Sequence, residues 1–279
     1  MSEHDYESTR RSWNLATRNH NAHKGDQAAF LRGGGDTIFA EELELLGPLD
    51  GRRLVHLQCN SGQDTLCLAR RGARAVGVDL SDHAIGVARE LSAGSGIPAQ
   101  FVEAELVAWM RTTEERFELA FSSYGAVSWM PDLDAWARGV ARVLAPGGRF
   151  VYLEFHPAVW SVGKELSVTD GDDYFARKPF VVPVGDYVLE SGAGLGAVTR
   201  GETEENTIPA YAWQYGVAQI VDALASAGLI LERLVEYPHS NGCKVHGRLV
   251  VDPTDPRRWV WPDGVAGRLP LMFGLSVRR

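Results

Sequence analysis

The sequence predicts an α/β fold: a parallel sheet covered by helices on both faces. Three observations predict it. Between residues 52 and 155, short apolar runs rich in Val, Leu and Phe alternate with helical-period segments. The helical segments end on glycine, as at Gly72 and in the "AGSG" run. The stretch "LVHLQCNSGQDTLCLARRGARAVGVDLS" reads as strand, tight turn, helix and strand, with an acid at the second strand's end. Such alternation needs crossover connections, which are right-handed and place helices against both faces.

The elements follow in order. "YESTRRSWNLATRNH" reads as a helix carrying Trp13 and Leu15. A short helix ends at Gly33–Gly35. "TIFAEELELLG" places Phe39, Leu43 and Leu46 on one face and stops at Gly47 and Pro48. Residues 1–48 are thus an expected helical arm or cap. The core, 49–155, contains strands "RRLVHLQ", "ARAVGVD", "AQFVEAE", "RFELAFSS" and "RFVYLEF". Its helices are "QDTLCLARRG", "SDHAIGVARELSAGSG" with Ser81 as N-cap, and "DLDAWARGVARVLAPGG", striped by Leu133, Trp136, Val140 and Leu144.

Residues 156–209 break the rhythm. They are rich in Gly, Pro, Asp and aromatic residues, with strand-like "FVVPV" and "DYVLE". This segment is expected to be an inserted lid, being too short and polar for a core of its own. Residues 210–279 then complete the sheet through the helix "AWQYGVAQIVDALASAGL" and the strands "ILERLVEYP" and "LPLMFGLSVRR".

A chain of 279 residues suffices for one large domain, or for one with a lid. Its net charge of −8 leaves no basic surplus to offset phosphates, which argues against a nucleic-acid partner. Cys59, Cys67 and Cys243 form no C-x-x-C pair and no even set, so a reduced, cytoplasmic setting is expected. The start of the chain is polar, unlike a signal peptide, and no apolar run approaches the ~18 residues of a membrane span.

The turn "CNSGQD" lies at the carboxyl end of the first strand, where open α/β sheets bind ligands. Gly62 permits a close backbone approach, and Asn60 suits a left-handed position. Asp79, at the end of the second strand, is placed to bind two ribose hydroxyls, or simply to cap the following helix. A dinucleotide site prefers G-x-G-x-x-G around its pyrophosphate. Gln58, Asn60 and Gly62 instead suit a ligand that carries an amino-acid group and no phosphate, which favours S-adenosylmethionine over NAD.

Taken with "AVGVDLSDHAIGVAR", "FVEAEL", the "L-x-P-G-G" turn before "RFVYLEF" and the terminal "LPLMFGLSVRR", this stretch resembles the class I S-adenosylmethionine-dependent methyltransferases. It is similar to a bacterial subgroup with "HLQC…GQDT" and "EFHP", known mainly as small-molecule methyltransferases. The resemblance implies a Rossmann-like, doubly wound, mostly parallel seven-stranded sheet. The family's first loop reads D-x-G-x-G-x-G. Here His56 stands for the acid, Gln58 and Asn60 for the first two glycines, and Gly62 remains. His56 reads equally as a buried structural histidine.

By the same resemblance, Gln58, Asn60 and Gly62 would face the methionine part of the cofactor. Asp79 would bind its ribose, and Leu80 would pack on the adenine. Glu105 would reach the adenine amine, with Leu106 nearby, or else be a helix N-terminal charge. Ser122 would offer its carbonyl to the methionine ammonium, or merely end a strand. Methyl transfer needs alignment, and a base only where the acceptor must lose a proton. His156, at the end of the fifth strand, is the candidate base, or a residue shaping the turn before Pro157. Tyr124 and Glu154 are further candidates.

Trp129, Trp160, Tyr211, Trp213, Tyr215, Tyr237, His239 and Asn241 are candidates for a small-molecule pocket or for core. Trp13, His20, Asn21, His23 and Lys24 belong to an arm that would close over the cofactor. His20 and His23 lack the partner set of a metal site, and none is expected. The expected activity is methyl transfer to a small-molecule acceptor at O, N, S or C. An inactive cofactor-binding module and an NAD-dependent oxidoreductase are the alternatives.

Overall fold

The computed structural model describes residues 3–163, 167, 170–176, 178–191, 201–265 and 268–279. The helical arm comprises α1 (Glu3–Ala22), α2 (Gln27–Arg32) and α3 (Ala40–Leu46). The core continues with β1 (Arg53–Leu57), α4 (Gln63–Arg70), β2 (Arg74–Asp79), α5 (Asp82–Ser95), β3 (Gln100–Glu103), α6 (Leu106–Thr112), β4 (Phe117–Ser123), α7 (Leu133–Val143) and β5 (Leu144–Phe155). Beyond it lie β6 (Phe180–Val182), α8 (Tyr187–Ser191), β7 (Ala210–Ala212), α9 (Val217–Ser226), β8 (Ile230–Tyr237), β9 (His239–Asn241), β10 (Val250–Val251), β11 (Arg258–Val260) and β12 (Met272–Arg278).

Seven strands form the central sheet in the order β3-β2-β1-β4-β5-β12-β8. The pairs β1–β2, β1–β4, β2–β3 and β4–β5 are parallel, while β12 runs antiparallel to both β5 and β8. The sheet is therefore mostly parallel and doubly wound.

Strand periodicity divides the core in two. Val55, Leu57, Ala120, Phe150 and Tyr152 pack with Met110 of α6, Trp136 and Val140 of α7, and Ile220 and Leu224 of α9. Their alternates Leu54, Leu119, Phe121, Val151 and Leu153 pack with Leu45 and Leu46 of α3, Leu66 and Leu68 of α4, and Ile85 and Ala88 of α5. The central strands β1, β4 and β5 are apolar on both faces because a helix layer covers each.

The structure departs from the sequence reading in several places. "DYVLE", expected as strand-like, is the short helix α8. The helix expected from "AWQYG" starts only at Val217, and Ala210–Ala212 pair with Phe180–Val182 as a two-stranded ribbon. The helix expected through "LAPGG" stops at Val143; Leu144 pairs with Phe117 and opens β5. Helix α6 and a small antiparallel sheet, β10-β11-β9, carried no expectation. The small sheet has its own apolar patch of Val245, Leu249 and Trp261, joined by Val159 and Leu271.

Of the segment expected as a lid, residues 164–166, 168–169, 177 and 192–200 lie outside the described residues. Its described part packs on α1. Asn206 donates to the backbone and side-chain oxygens of Ser12, and Val184 donates to Ser12 Oγ at 3.1 Å. His23 of the α1–α2 turn meets Asp186 at 2.9 Å.

Candidate functional site

The strand order reverses between β1 and β4, and ligands of open α/β sheets bind at such a switch point. A cavity of about 1190 Å³ opens there. It exceeds the ~300–1,000 Å³ usual for a single small ligand, so it has room for two reactants.

The loop after β1 forms one wall. Gln58 and Asn60 both take left-handed backbone conformations, with φ of 59° and 46°, and Gly62 follows at 76°. Gln58 Nε2 donates to the Ala126 carbonyl at 2.7 Å, spanning β1 to β4. Gln58 lines the cavity, and its buried Oε1 has no partner among the described residues; the same is true of Gln63 Nε2. Asn60 lines the cavity and folds back on its own loop, its Oδ1 accepting the Ser61 N–H at 2.7 Å. Gly62 sits behind the wall: a Cβ there would lie 2.7 Å from the Phe101 ring and 2.8 Å from Ala88.

Asp79 and Leu80 line the cavity at the end of β2. Asp79 accepts the N–H groups of Asn60 and Ser81 at 2.8 and 2.9 Å. Burial pushes its pKa up, and these bonds oppose the shift. Glu105 and Leu106 also line the cavity. Both Glu105 oxygens are engaged at the start of α6, accepting the Val107 and Ala108 N–H groups at 2.9 and 2.6 Å. This is the helix-terminal role weighed above, taken up at the cavity wall.

Ser122 is fully buried within β4, and its neighbour Ser123 reaches the cavity instead. Tyr124 lines the cavity with a φ of 29°. The turn that follows it is held by Glu154, whose carboxylate accepts the Gly125 and Ala126 N–H groups and the Tyr152 hydroxyl. Glu154 thus shapes the wall rather than hanging free in it.

His156 is the residue expected as base. It is absent from the cavity lining. Its Nε2 meets Glu236 of β8 at 3.0 Å, and its Nδ1 accepts the Ala158 N–H at 3.2 Å. The ring packs edge-on against Phe273, and its backbone N–H bonds Leu271. The side chain turns toward the β12–β8 edge and caps the Pro157–Val159 turn.

His56 does line the cavity, but burial lowers its pKa to about 3, and its Nδ1 bonds Thr65 Oγ1 at 2.9 Å. It is a neutral structural histidine.

The arm closes the cavity with Tyr6, Thr9 and Trp13 of α1, and Lys24 after it. Lys24 is the only lysine or arginine among the described lining residues, which also include Asp64, Asp79, Glu105, Asp132, Glu154 and Asp172. Burial lowers its amine to about 8 against the pull of Asp64. Trp129, Trp160, Trp213, Tyr215 and Asn241 also line the cavity; His20, Asn21, His23, Tyr211, Tyr237 and His239 do not. Tyr6, Thr9, Thr37, Asp64 and Tyr187 of the lining were not singled out from the sequence. Lone polar residues at helix-face spacing give no signal of a shared cavity. Among the described residues, no group of three His, Cys, Asp or Glu side chains is disposed to hold a metal, and no helix is long and apolar enough to cross a membrane.

Residues 55–148 match the family model described as a methyltransferase domain. That stretch is a methyltransferase domain of the class I, S-adenosylmethionine-dependent kind. An uncharacterized methyltransferase of Synechocystis sp. is 32% identical over 146 residues, which is 51% of this chain and 66% of that one. A ubiquinone biosynthesis O-methyltransferase of Sinorhizobium medicae is 31% identical over 43% of this chain and 48% of its own length. The chain thus spans about half to two thirds of the length of these curated relatives. A solved S-adenosylmethionine-dependent methyltransferase from Mesorhizobium loti shares the fold at a TM-score of 0.56, with 20% identity over 88% of this chain and 99% of that one. The loop of Gln58, Asn60 and Gly62 opens the first βαβ unit of that domain, beside the β1/β4 switch point.

Proposed function

We propose that this methyltransferase moves a methyl group from S-adenosylmethionine to a hydroxyl-bearing small molecule. The observation that carries the reading is the pairing of orphaned groups at the loop after β1. Gln58 Oε1 is an acceptor and Gln63 Nε2 a donor, both buried at the cavity wall without partners among the described residues. An amino-acid zwitterion supplies what each lacks. Its ammonium suits Gln58 Oε1; its carboxylate suits Gln63 Nε2 and the Lys24 ammonium.

Asp79, with lone pairs beyond those accepting Asn60 and Ser81, would hold the ribose hydroxyls, and Leu80 and Leu106 would flank the adenine. The carboxylates of the lining favour a cationic ligand. Bound there, S-adenosylmethionine supplies an electrophilic methyl group on a sulfur that leaves as a neutral thioether. The protein's part is to bind, align and exclude water.

Trp13, Trp129, Trp213 and Tyr215 give the rest of the cavity flat apolar walls, which suit an aromatic acceptor. The ubiquinone biosynthesis O-methyltransferases among the relatives support oxygen as the methylated atom.

Titration calorimetry with S-adenosylmethionine, S-adenosylhomocysteine and NAD tests the cofactor, with binding of the first two and not NAD expected. Radiolabelled methyl transfer to a panel of phenols and catechols tests the acceptor. Binding of NAD in place of S-adenosylhomocysteine overturns the reading. Cofactor binding with no transfer to any nucleophile reduces the chain to a binding module.

A further inference from the structure

A second pocket, of about 290 Å³, lies apart from the cavity described above. Asn21, Asp26 and Gln27 line it from the corner between α1 and α2, and Val87, Glu90 and Leu91 line it from α5. Two of these residues end in buried oxygens that no described residue satisfies: Asn21 Oδ1 and Gln27 Oε1. Buried polar atoms are nearly always partnered, so each orphan calls for an explanation.

Neither amide can be turned round to find a partner. Gln27 is 6% exposed, and its Nε2 donates to the Lys24 carbonyl, which only accepts. Its Oε1 is thereby the atom left over. Asn21 is fixed through two further residues. Asn60 Oδ1 accepts the Ser61 backbone N–H at 2.7 Å, and the Ser61 hydroxyl donates to the same oxygen at 3.0 Å. With its proton so placed, Ser61 Oγ accepts Asn21 Nδ2 at 3.0 Å. Asn21 Oδ1 is left without a donor.

The pocket therefore offers acceptors and negative charge. Two amide oxygens are buried, while the carboxylates of Asp26 and Glu90 are on exposed residues. No lysine or arginine is among its described lining residues. A hard metal ion fits poorly, because it takes about six to eight oxygens and Val87 and Leu91 supply none. Among the described residues, no group of three His, Cys, Asp or Glu side chains could hold one. A primary ammonium has three donors and no acceptor, and its alkyl chain is what Val87 and Leu91 can cover.

We propose that this pocket binds a small primary alkylammonium ion and that its binding tightens the cofactor site. The first part stands on the pocket alone; the second rests on the cofactor reading above. The link is the chain Asn21–Ser61–Asn60. Asn60 lines the main cavity, and its N–H donates to Asp79 Oδ2 at 2.8 Å. An ammonium that holds Asn21 Oδ1 restrains the Asn21 amide, and with it the Ser61–Asn60 loop in the geometry that faces the cofactor.

Calorimetry at constant ionic strength, with n-butylammonium chloride as the probe, tests both parts. Saturable binding is expected for the amine, and none for 1-butanol, potassium chloride or magnesium chloride. Gln27→Leu, which removes one orphaned oxygen, is expected to weaken amine binding about tenfold or more. Glu90→Gln, at an exposed helix position, is expected to weaken it severalfold while leaving S-adenosylhomocysteine affinity without amine unchanged. Saturating amine is expected to tighten S-adenosylhomocysteine binding about fivefold or more, and S-adenosylhomocysteine to tighten amine binding by the same factor. Ser61→Ala, which cuts the chain, is expected to bind the amine and lose the coupling. Absence of amine binding, equal binding of 1-butanol, preference for potassium or magnesium, or native amine affinity in both Gln27→Leu and Glu90→Gln overturns the site. Competition between amine and S-adenosylhomocysteine places the amine in the main cavity and overturns the site as well. Amine binding with unchanged S-adenosylhomocysteine affinity overturns the coupling. Amine binding by a chain that fails to bind S-adenosylhomocysteine overturns the cofactor reading and supports the pocket.

Discussion

Asp79 Oδ2 accepts the backbone N–H of Asn60 at 2.8 Å, tying the end of β2 to the loop after β1. One carboxylate therefore shapes the loop and faces the cavity. Replacing it tests both roles. Asp79→Asn keeps an acceptor for one N–H and loses the charge. Its S-adenosylhomocysteine affinity is expected to fall tenfold or more, since a charged hydrogen bond contributes ~1.5–3 kcal/mol. Asp79→Ala is expected also to lower stability by ~1–3 kcal/mol, because the Asn60 N–H loses its partner. Calorimetry and thermal melting check both; native affinity in Asp79→Asn would remove Asp79 from the binding site.

Gly62 combines a φ of 76° with a Cβ position 2.7 Å from Phe101. Gly62→Ala meets a backbone penalty of ~1–2 kcal/mol and an overpacking cost of ~1–3 kcal/mol. A clear drop in Tm is expected, with weakened cofactor binding as the loop shifts. A melting curve that matches wild type would show that the loop conformation is softer than its contacts imply.

Lys24 carries the pH dependence of binding. Its amine is lowered to about 8, so the ammonium is present below that pH and lost as pH rises through it. A bound carboxylate pulls the value upward again. S-adenosylhomocysteine affinity is therefore expected to fall about tenfold as pH rises through and beyond 8, and Lys24→Met to be weak and flat across that range. Equal affinity and equal pH profile for Lys24→Met would place the carboxylate elsewhere.

Acid should destabilise the fold through two buried histidines. Burial lowers His20 to about 4 and His56 to about 3, both below the ~6.5 of an unfolded chain. The unfolded state then binds protons first. Neither histidine contributes to pH dependence above ~6.5, and stability is lost from there down to each folded value, at about 1.4 kcal/mol per pH unit for each. Thermal melts between pH 7 and 4.5 read this slope. His20→Gln should flatten it, and an unchanged slope would mean that other groups control acid lability.

Much of the sheet was legible because its signal is local. The alternation of strand and helix through residues 52–155, the cap at Ser81 and the turn at Gly62 each depend on a few neighbouring residues. "DYVLE" was not legible: five residues fit either period, and packing of Val188, which is 1% exposed, decided for helix. The small sheet escaped notice because its strands are only two or three residues long and pair across the chain.

The sequence by itself determined which loop opens the first βαβ unit, that Asp79 ends the second strand, and that the polar residues Gln58 and Asn60 stand where glycines are usual. Tertiary structure alone decided where the chemistry-bearing side chains point. It turned His156 away to Glu236, and brought Lys24, Tyr124 and Asn241 to one cavity from segments far apart in sequence. Direction depends on which neighbour fills each side of a strand end, and Glu236 and Asn241, which decide it for His156 and Tyr124, lie 80 and 117 positions along the chain.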